Sequence, residues 1–310
     1  MCKDYIFPGN YKFPAAVVED IGDPFVLTAS DGFYYMYGTS HVEQRGYHVW
    51  KSSDLENWSL EGRSFINPEN SWVYKDFWAP EVIEYKNKYY MFYTAREIER
   101  DILQIGLAVS DQPTGPFIDE KQRPILDVDY AVIDASILID DGKIYLYYSR
   151  DCSVNVVDDS HRSDIYVVEL DENFNQKGEP IFLFAPTQEW ETIPVSDGWL
   201  WNEGASVIKV GEFYYMTYSG NPFWSFDYAV GLATSTSPMG PFEKDENNPV
   251  LRGCVQQKVS GTGHNSIFTS HDGARTYIAY HVHKDIEVRG GDRNAIISEV
   301  KFENKRMKLI

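Results

Sequence analysis

The stretch DASILIDDGKIYLYYSR, residues 134–150, reads as two short strands around a turn. A β-branched and apolar run covers 136–139, Asp141-Gly142 is a hairpin signal, and a tyrosine-rich strand returns. Asp134, at its head, stands 11 positions ahead of Tyr145. Two other stretches repeat this arrangement: DPFVLTASDGFYYMYGTS from Asp23 to Tyr34 and onward, and EGASVIKVGEFYYMTYSG from Glu203 to Tyr214 and onward. WAPEVIEYKNKYYMFYTA keeps the spacing from Trp78 to Tyr89 with an aromatic residue in the marked place. HNSIFTSHDGARTYIAYHVH reaches Tyr277 from His264 after 13 residues, as a turn two residues longer predicts. Five copies therefore carry acids at three equivalent places, and carboxylates recurring in one register of a repeat point to a site.

Helical periodicity is nearly absent elsewhere, so the chain reads as all-β. First strands are expected over 25–28, 82–85, 136–139, 206–210 and 266–269, and further strands over 47–52, 105–110, 165–170, 228–234 and 294–302. The second and fourth units end in matching tails, SDQPTGPF at Phe117 and STSPMGPF at Phe242. Intervals of 55, 56, 69 and 63 residues between the marked tyrosines leave room for a four-stranded sheet in each unit. This pattern predicts a single domain over residues 1–310: a five-bladed β-propeller, each blade a four-stranded antiparallel sheet, with the active site at the mouth of the central channel. Asp23, Trp78, Asp134, Glu203 and His264, each just ahead of its first strand, are expected to converge on the mouth opposite the hairpin turns. A β-sandwich, in which the acids would be incidental, is the alternative architecture.

With 28 Lys plus Arg against 47 Asp plus Glu, the net charge of −19 disfavours nucleic acid and anionic membranes as partners, and a neutral carbohydrate is the easier substrate. Aromatic residues make up 15 % of the chain, which suits both β-structure and sugar-stacking surfaces. Cys2, Cys152 and Cys254 are far apart with no CxxC pair, against a disulfide framework or a zinc site. No apolar stretch is long enough for a membrane span, and MCKDYIFPGN lacks a signal-peptide core. As written the chain is expected to be cytoplasmic; if a leader was removed before Cys2, it would be exported or lipid-anchored there. Oligomeric state is not legible in the sequence.

Three carboxylates gathered over an aromatic wall fit glycosidic bond cleavage, in which one acid protonates the leaving oxygen and another carboxylate activates water or attacks carbon. The third can orient the acid and raise its pKa by like-charge repulsion. The segments GDPFV around Asp23, FWAPEV around Pro80, VIDASILIDDGKIYLYY around Asp134, NEGASVIKVGEFYYMTYSGN around Glu203 and GTGHNS around His264 together resemble glycoside hydrolase family 43. That resemblance runs from about Asp20 to the end of the chain. It implies a five-bladed propeller that hydrolyses arabinose- or xylose-containing plant oligo- and polysaccharides with inversion. It also implies Asp23 as general base, Glu203 as general acid and Asp134 as the acid's modulator. An inverting enzyme would hold base and acid about 6.5 to 9.5 Å apart.

His264 resembles the family's central histidine, which lies near calcium or another cation in the axial channel, and no cofactor is expected for the chemistry itself. Trp78 and Trp201 are candidate sugar-stacking residues, with Trp199 beside Trp201 and Phe223 with Trp224 in the loop NPFWSFDY. Of Arg289 and Arg293, the latter is preferred as the arginine that meets the modulator carboxylate or substrate, because Gly290 and Gly291 suggest a turn before it. Asp20, Asp31, Glu81, Asp140 and Asp141 fall outside the repeated register. The long segment 151–198 is the expected seat of specificity. Exo-acting α-L-arabinofuranosidase or β-xylosidase is the leading expectation, with endo-arabinanase, exo-galactanase, a retaining fructan-type enzyme or a non-catalytic carbohydrate-binding propeller as alternatives.

Overall fold

The computed structural model describes residues 11–39, 45–193, 198–288 and 290–310, so Cys2 and Arg289 lie outside the described residues. Five antiparallel sheets follow one another along the chain. Each begins with an inner strand drawn from one of the five copies: Gly22–Thr28, Val73–Tyr85, Val132–Asp140, Asn202–Val210 and Gly263–Thr269. Each inner strand touches the next and the fifth touches the first, so the sheets close into the expected five-bladed propeller. Residues before blade 1 help to close the ring. Val17 N–H donates to the Ala295 carbonyl of blade 5 across 2.9 Å, and Ile21 N–H to that of Arg293 across 2.8 Å.

The blades are not uniform. Blades 1, 3 and 5 have four strands, whereas blade 2 has three, with only the bridge between Val109 and Ile118 at its outer edge. Blade 4 divides that edge between Glu243–Lys244 and Leu251–Arg252. Prolines account for the interruption: Pro113 and Pro116 in one returning chain, and Pro238, Pro241 and Pro249 in the other, have no N–H to give to a ladder. The matching tails do matching work. Tyr37 of blade 1 donates its hydroxyl to the Pro113 carbonyl, and Tyr147 of blade 3 donates to the Pro238 carbonyl across 2.7 Å, fastening one blade to the next.

The core lies between blades rather than at the axis. Successive side chains of a strand point to opposite faces, and here both faces are covered: Tyr35 and Tyr37 pack toward blade 2, Tyr34 and Met36 toward blade 5. Second strands therefore read as near-continuous aromatic runs instead of alternating with polar residues. Val156–Val157 and Ser160–Arg162, from the connection between the second and third strands of blade 3, form a small extra sheet with Trp199–Leu200, which precedes blade 4. Helix among the described residues is limited to the short 3-10 turns Glu189–Glu191 and Val255–Gln257, and no helix is long and apolar enough to cross a membrane.

Candidate active site

Every inner strand carries a β-bulge near its start, where two residues oppose one on the neighbouring strand. The first bulged residues are Asp23, Ala79, Asp134, Gly204 and His264, with φ of 52°, 41°, 59°, 58° and 41°. The candidates thus stand inside the strands, not ahead of them, and the bulge is what aims them at the channel mouth. The common address is also narrower than the spacing implied. Asp23, Asp134 and His264 share the bulge, while Glu203 and Trp78 come one residue earlier. Equal distance to a tyrosine concealed the offset, because Tyr145 faces the following blade and Tyr214 the preceding one, meeting in a single cluster. Gly204 suits its position: a Cβ there would come within 3.3 Å of the His264 ring.

Despite the offset, the structure brings all the singled-out side chains to one cavity of about 910 Å³. Its lining includes the acids Asp23, Asp134 and Glu203, the aromatics Trp78, Trp201 and Phe223, and Arg293 with His264.

Asp23 is buried, and Arg293 donates Nη1–H to its Oδ1 across 2.7 Å. The arginine therefore meets the candidate base, where the sequence pointed to the modulator or the substrate. Its place depends on Gly22, since a Cβ at that position would lie 2.0 Å from the guanidinium carbon. Burial works to raise the Asp23 carboxyl, yet the opposing pull of Arg293 and the neighbouring histidines leaves it well below the ordinary 3.8. The histidines are themselves pushed down, His281 to about 3 and chiefly by burial, so Arg293 is the cation that counts at neutral pH. Asp23 N–H donates to His281 Nδ1 across 3.1 Å.

Asp134 and Glu203 have the opposite character. Burial pushes Glu203 up to about 8, against the lowering effect of a hydrogen bond from Tyr228, with the charges of Asp23 and Asp151 adding to the rise. Asp134 is held well above its ordinary value, first by burial and then by Glu203, Asp23 and Asp151, although Gly204 N–H donates to its Oδ2 across 3.3 Å. Glu203 therefore holds its proton at neutral pH while Asp23 is an anion, and Asp134 is displaced in the same direction as Glu203. Burial is thus the first cause of the high Glu203 pKa, rather than repulsion by Asp134.

Asp151 is a fourth buried acid on the cavity wall that sequence reasoning missed. It follows the second strand of blade 3, Lys143–Arg150, and holds no repeated register that would mark it. Tyr228 was missed for the same reason, whereas His281 holds the register of Thr39, Thr94, Ser149 and Ser219, each facing the residue before its blade's bulge, and differs from them only in residue type. The aromatic wall is more extensive than two residues: His161 stacks on Trp199 at 3.9 Å, Trp199 on Trp201 at 6.1 Å, and Trp224 meets Trp201 edge-on at 5.4 Å. Phe223 lies under the Arg293 guanidinium at 4.9 Å. Trp78 packs against Leu103, Ala131 and Ile133. Of the segment expected to set specificity, Asp151, Cys152 and Ser153 reach the cavity, whereas Asp164–Leu170 and Gln176–Phe184 are the outer strands of blade 3.

Asp134, Glu203 and His264 each bring one donor atom into a group spanning at most 4.8 Å. Two carboxyls and one ring nitrogen fall short of the six to eight oxygens that calcium takes.

The profile described as Glycosyl hydrolases family 43 matches residues 16–307. The chain belongs to this family. A solved structure described as a thermostable family-43 glycoside hydrolase is 41 % identical, covers 97 % of this chain and 96 % of its own, and superposes with a TM-score of 0.89. A structure described as an endo-1,4-beta-xylanase from Bacteroides thetaiotaomicron is 31 % identical over 95 % of this chain and 96 % of its own, with a TM-score of 0.82. A beta-xylosidase of Xylanibacter ruminicola is 26 % identical over 294 residues, 86 % of each chain. The family-43 chain described above is therefore a glycosidase, an enzyme that hydrolyses O-glycosyl bonds.

Proposed function

We propose that this family-43 enzyme is an inverting, exo-acting glycosidase that releases arabinofuranose or xylose from plant cell-wall oligo- and polysaccharides. One observation carries the reading: within one cavity, Asp23 is paired with the Arg293 guanidinium at 2.7 Å, which favours its carboxylate, while Glu203 meets only the neutral Tyr228 hydroxyl and is buried, and burial favours its acid form. Asp23 takes a proton from the attacking water, and Glu203 gives one to the leaving oxygen as the glycosidic bond breaks. Water attacks the face opposite the leaving group, so the anomeric centre inverts. Asp134, tied to Gly204 N–H, orients the acid from the neighbouring blade. No metal ion takes part in bond cleavage. Stacked Trp199 and Trp201 provide a flat apolar wall for a neutral sugar.

The likeness to a protein described as an endo-1,4-beta-xylanase keeps cleavage within a chain as the second reading. Product lengths from xylo- and arabino-oligosaccharides separate the two, since exo action releases only monosaccharide at early time. The mechanism is tested with Asp23→Ala and Glu203→Ala on aryl arabinosides and aryl xylosides. Both variants are expected to lose activity by at least about a thousand-fold on substrates with poor leaving groups. Retained activity in either, or retention of configuration in early-time NMR of the product, contradicts it.

A further inference from the structure

Tyr228 is fully buried, and its hydroxyl donates to Glu203 Oε1 across 2.7 Å. The polarity of this bond is set from behind. The backbone N–H of His264 donates to Ser219 Oγ across 2.8 Å, which leaves the serine's own proton available to the Tyr228 oxygen. The Tyr228 proton then goes to the Glu203 carboxyl, at Oε1. A chain of donors thus runs one way, from the His264 backbone through Ser219 and Tyr228 to Oε1. The ring itself cannot drift. It is stacked on His281 at 5.5 Å with 13° between planes, and Gly263 lies so close that a Cβ there would come 2.3 Å from it.

We propose that Tyr228 is a positioning residue that decides which oxygen of Glu203 carries the catalytic proton: Oε1 accepts from Tyr228, so the proton sits on Oε2. This rests on Glu203 being the general acid. With Oε1 occupied, the carboxyl presents its O–H from a single oxygen, and after transfer the new carboxylate keeps a charge-assisted bond to Tyr228. Burial and the charges of Glu203 and Asp23 keep the tyrosine itself well above its ordinary pKa, so it stays a donor throughout the working range.

The test is Tyr228→Phe, which removes one oxygen and keeps the ring, measured on glycosides with activated (dinitrophenyl) and unactivated (alkyl) leaving groups across pH. Without its donor the Glu203 carboxylate is less stable. The expected result is a roughly ten- to hundred-fold loss of kcat on the alkyl glycoside, little loss on the activated one, and a basic limb of kcat/KM moved to higher pH. Ser219→Ala is expected to act in the same direction but less. A Tyr228→Phe enzyme that slows both substrates equally, or that leaves the basic limb in place, overturns the proposal. Glu203→Gln is run on the same pair: if it retains alkyl-glycoside hydrolysis, the acid assignment itself is wrong, an outcome distinct from failure of the Tyr228 role alone.

Discussion

The Arg293 guanidinium and the Asp23 carboxylate form an ion pair of 2.7 Å in which the two side chains are only 6 % and 9 % exposed. The pair joins the end of the fold to its beginning, and it separates the protonation state of Asp23 from that of the other acids. Arg293→Gln removes the cation and leaves the carboxyl in its buried setting. The acidic limb of kcat/KM is expected to move to higher pH, because burial then raises the Asp23 carboxyl without a guanidinium to oppose it. A limb that stays put would show that Asp23 is not the group it reports.

Gly22→Ala should reproduce much of that effect without removing any charge. The added methyl occupies the place of the guanidinium, at 2.0 Å from its carbon, and forces Arg293 away from Asp23. A pH–rate profile that matches wild type in this variant would mean the pair is dispensable.

Glu81 lines a small channel cavity beneath the site and accepts a hydrogen bond from Ile137 N–H across 2.6 Å. Burial, opposed by the bonds from Ile137 and Ser136, pushes it up to about 8 from an ordinary 4.5. The folded state therefore holds a proton that the unfolded chain releases above pH 4.5. Stability should fall as pH rises from about 4.5 to about 8, by on the order of 1 kcal/mol per pH unit from this group. Glu81→Gln removes that contribution, so urea denaturation at several pH values should show a shallower decline than wild type. Parallel curves for the two proteins would rule the carboxyl out.

Lys244 and Glu191 form a buried ion pair of 2.6 Å behind the Glu203 loop, with Asn202 and Tyr218 also hydrogen-bonded to Glu191. Lys244→Met strands the carboxylate and is expected to cost about 3–5 kcal/mol in chemical denaturation. The double variant Lys244→Met with Glu191→Gln should recover most of that loss. If it does not, the lysine acts through packing on Phe184 and Tyr218 rather than through charge.

Exhaustive chelation is expected to leave kcat within about two-fold of the untreated enzyme, because the proton transfers assigned to Asp23 and Glu203 need no Lewis acid. A ten-fold loss restored by calcium would place a cation in the chemistry.

Much of the fold was legible because a propeller repeats one unit, so the tyrosine runs, turn signals and PTGPF and PMGPF tails occur at blade spacing. The outer edges were less legible. Whether a fourth strand pairs depends on N–H groups that prolines remove, and this reduced blade 2 to three strands. Within the site, Asp23, Asp134 and Glu203 could be picked out from their recurrence and from the family resemblance. Asp151 and Tyr228 could not, since neither residue type recurs at its place in the other blades, and His281 takes a place that Thr39, Thr94, Ser149 and Ser219 fill elsewhere, so only a change of residue type marks it.

The sequence by itself determined the five-fold architecture, the all-β class and the recurrence of Asp23, Asp134 and Glu203, because these follow from periodicity and local turn chemistry. Only the tertiary structure decided that Glu203 sits one residue off the bulge shared by Asp23 and Asp134, that Arg293 serves Asp23, and that Tyr228 reaches Glu203. Protonation was decided there as well. A carboxyl's pKa is set by burial and by charges brought together from different blades, and spacing along the chain carries no record of either.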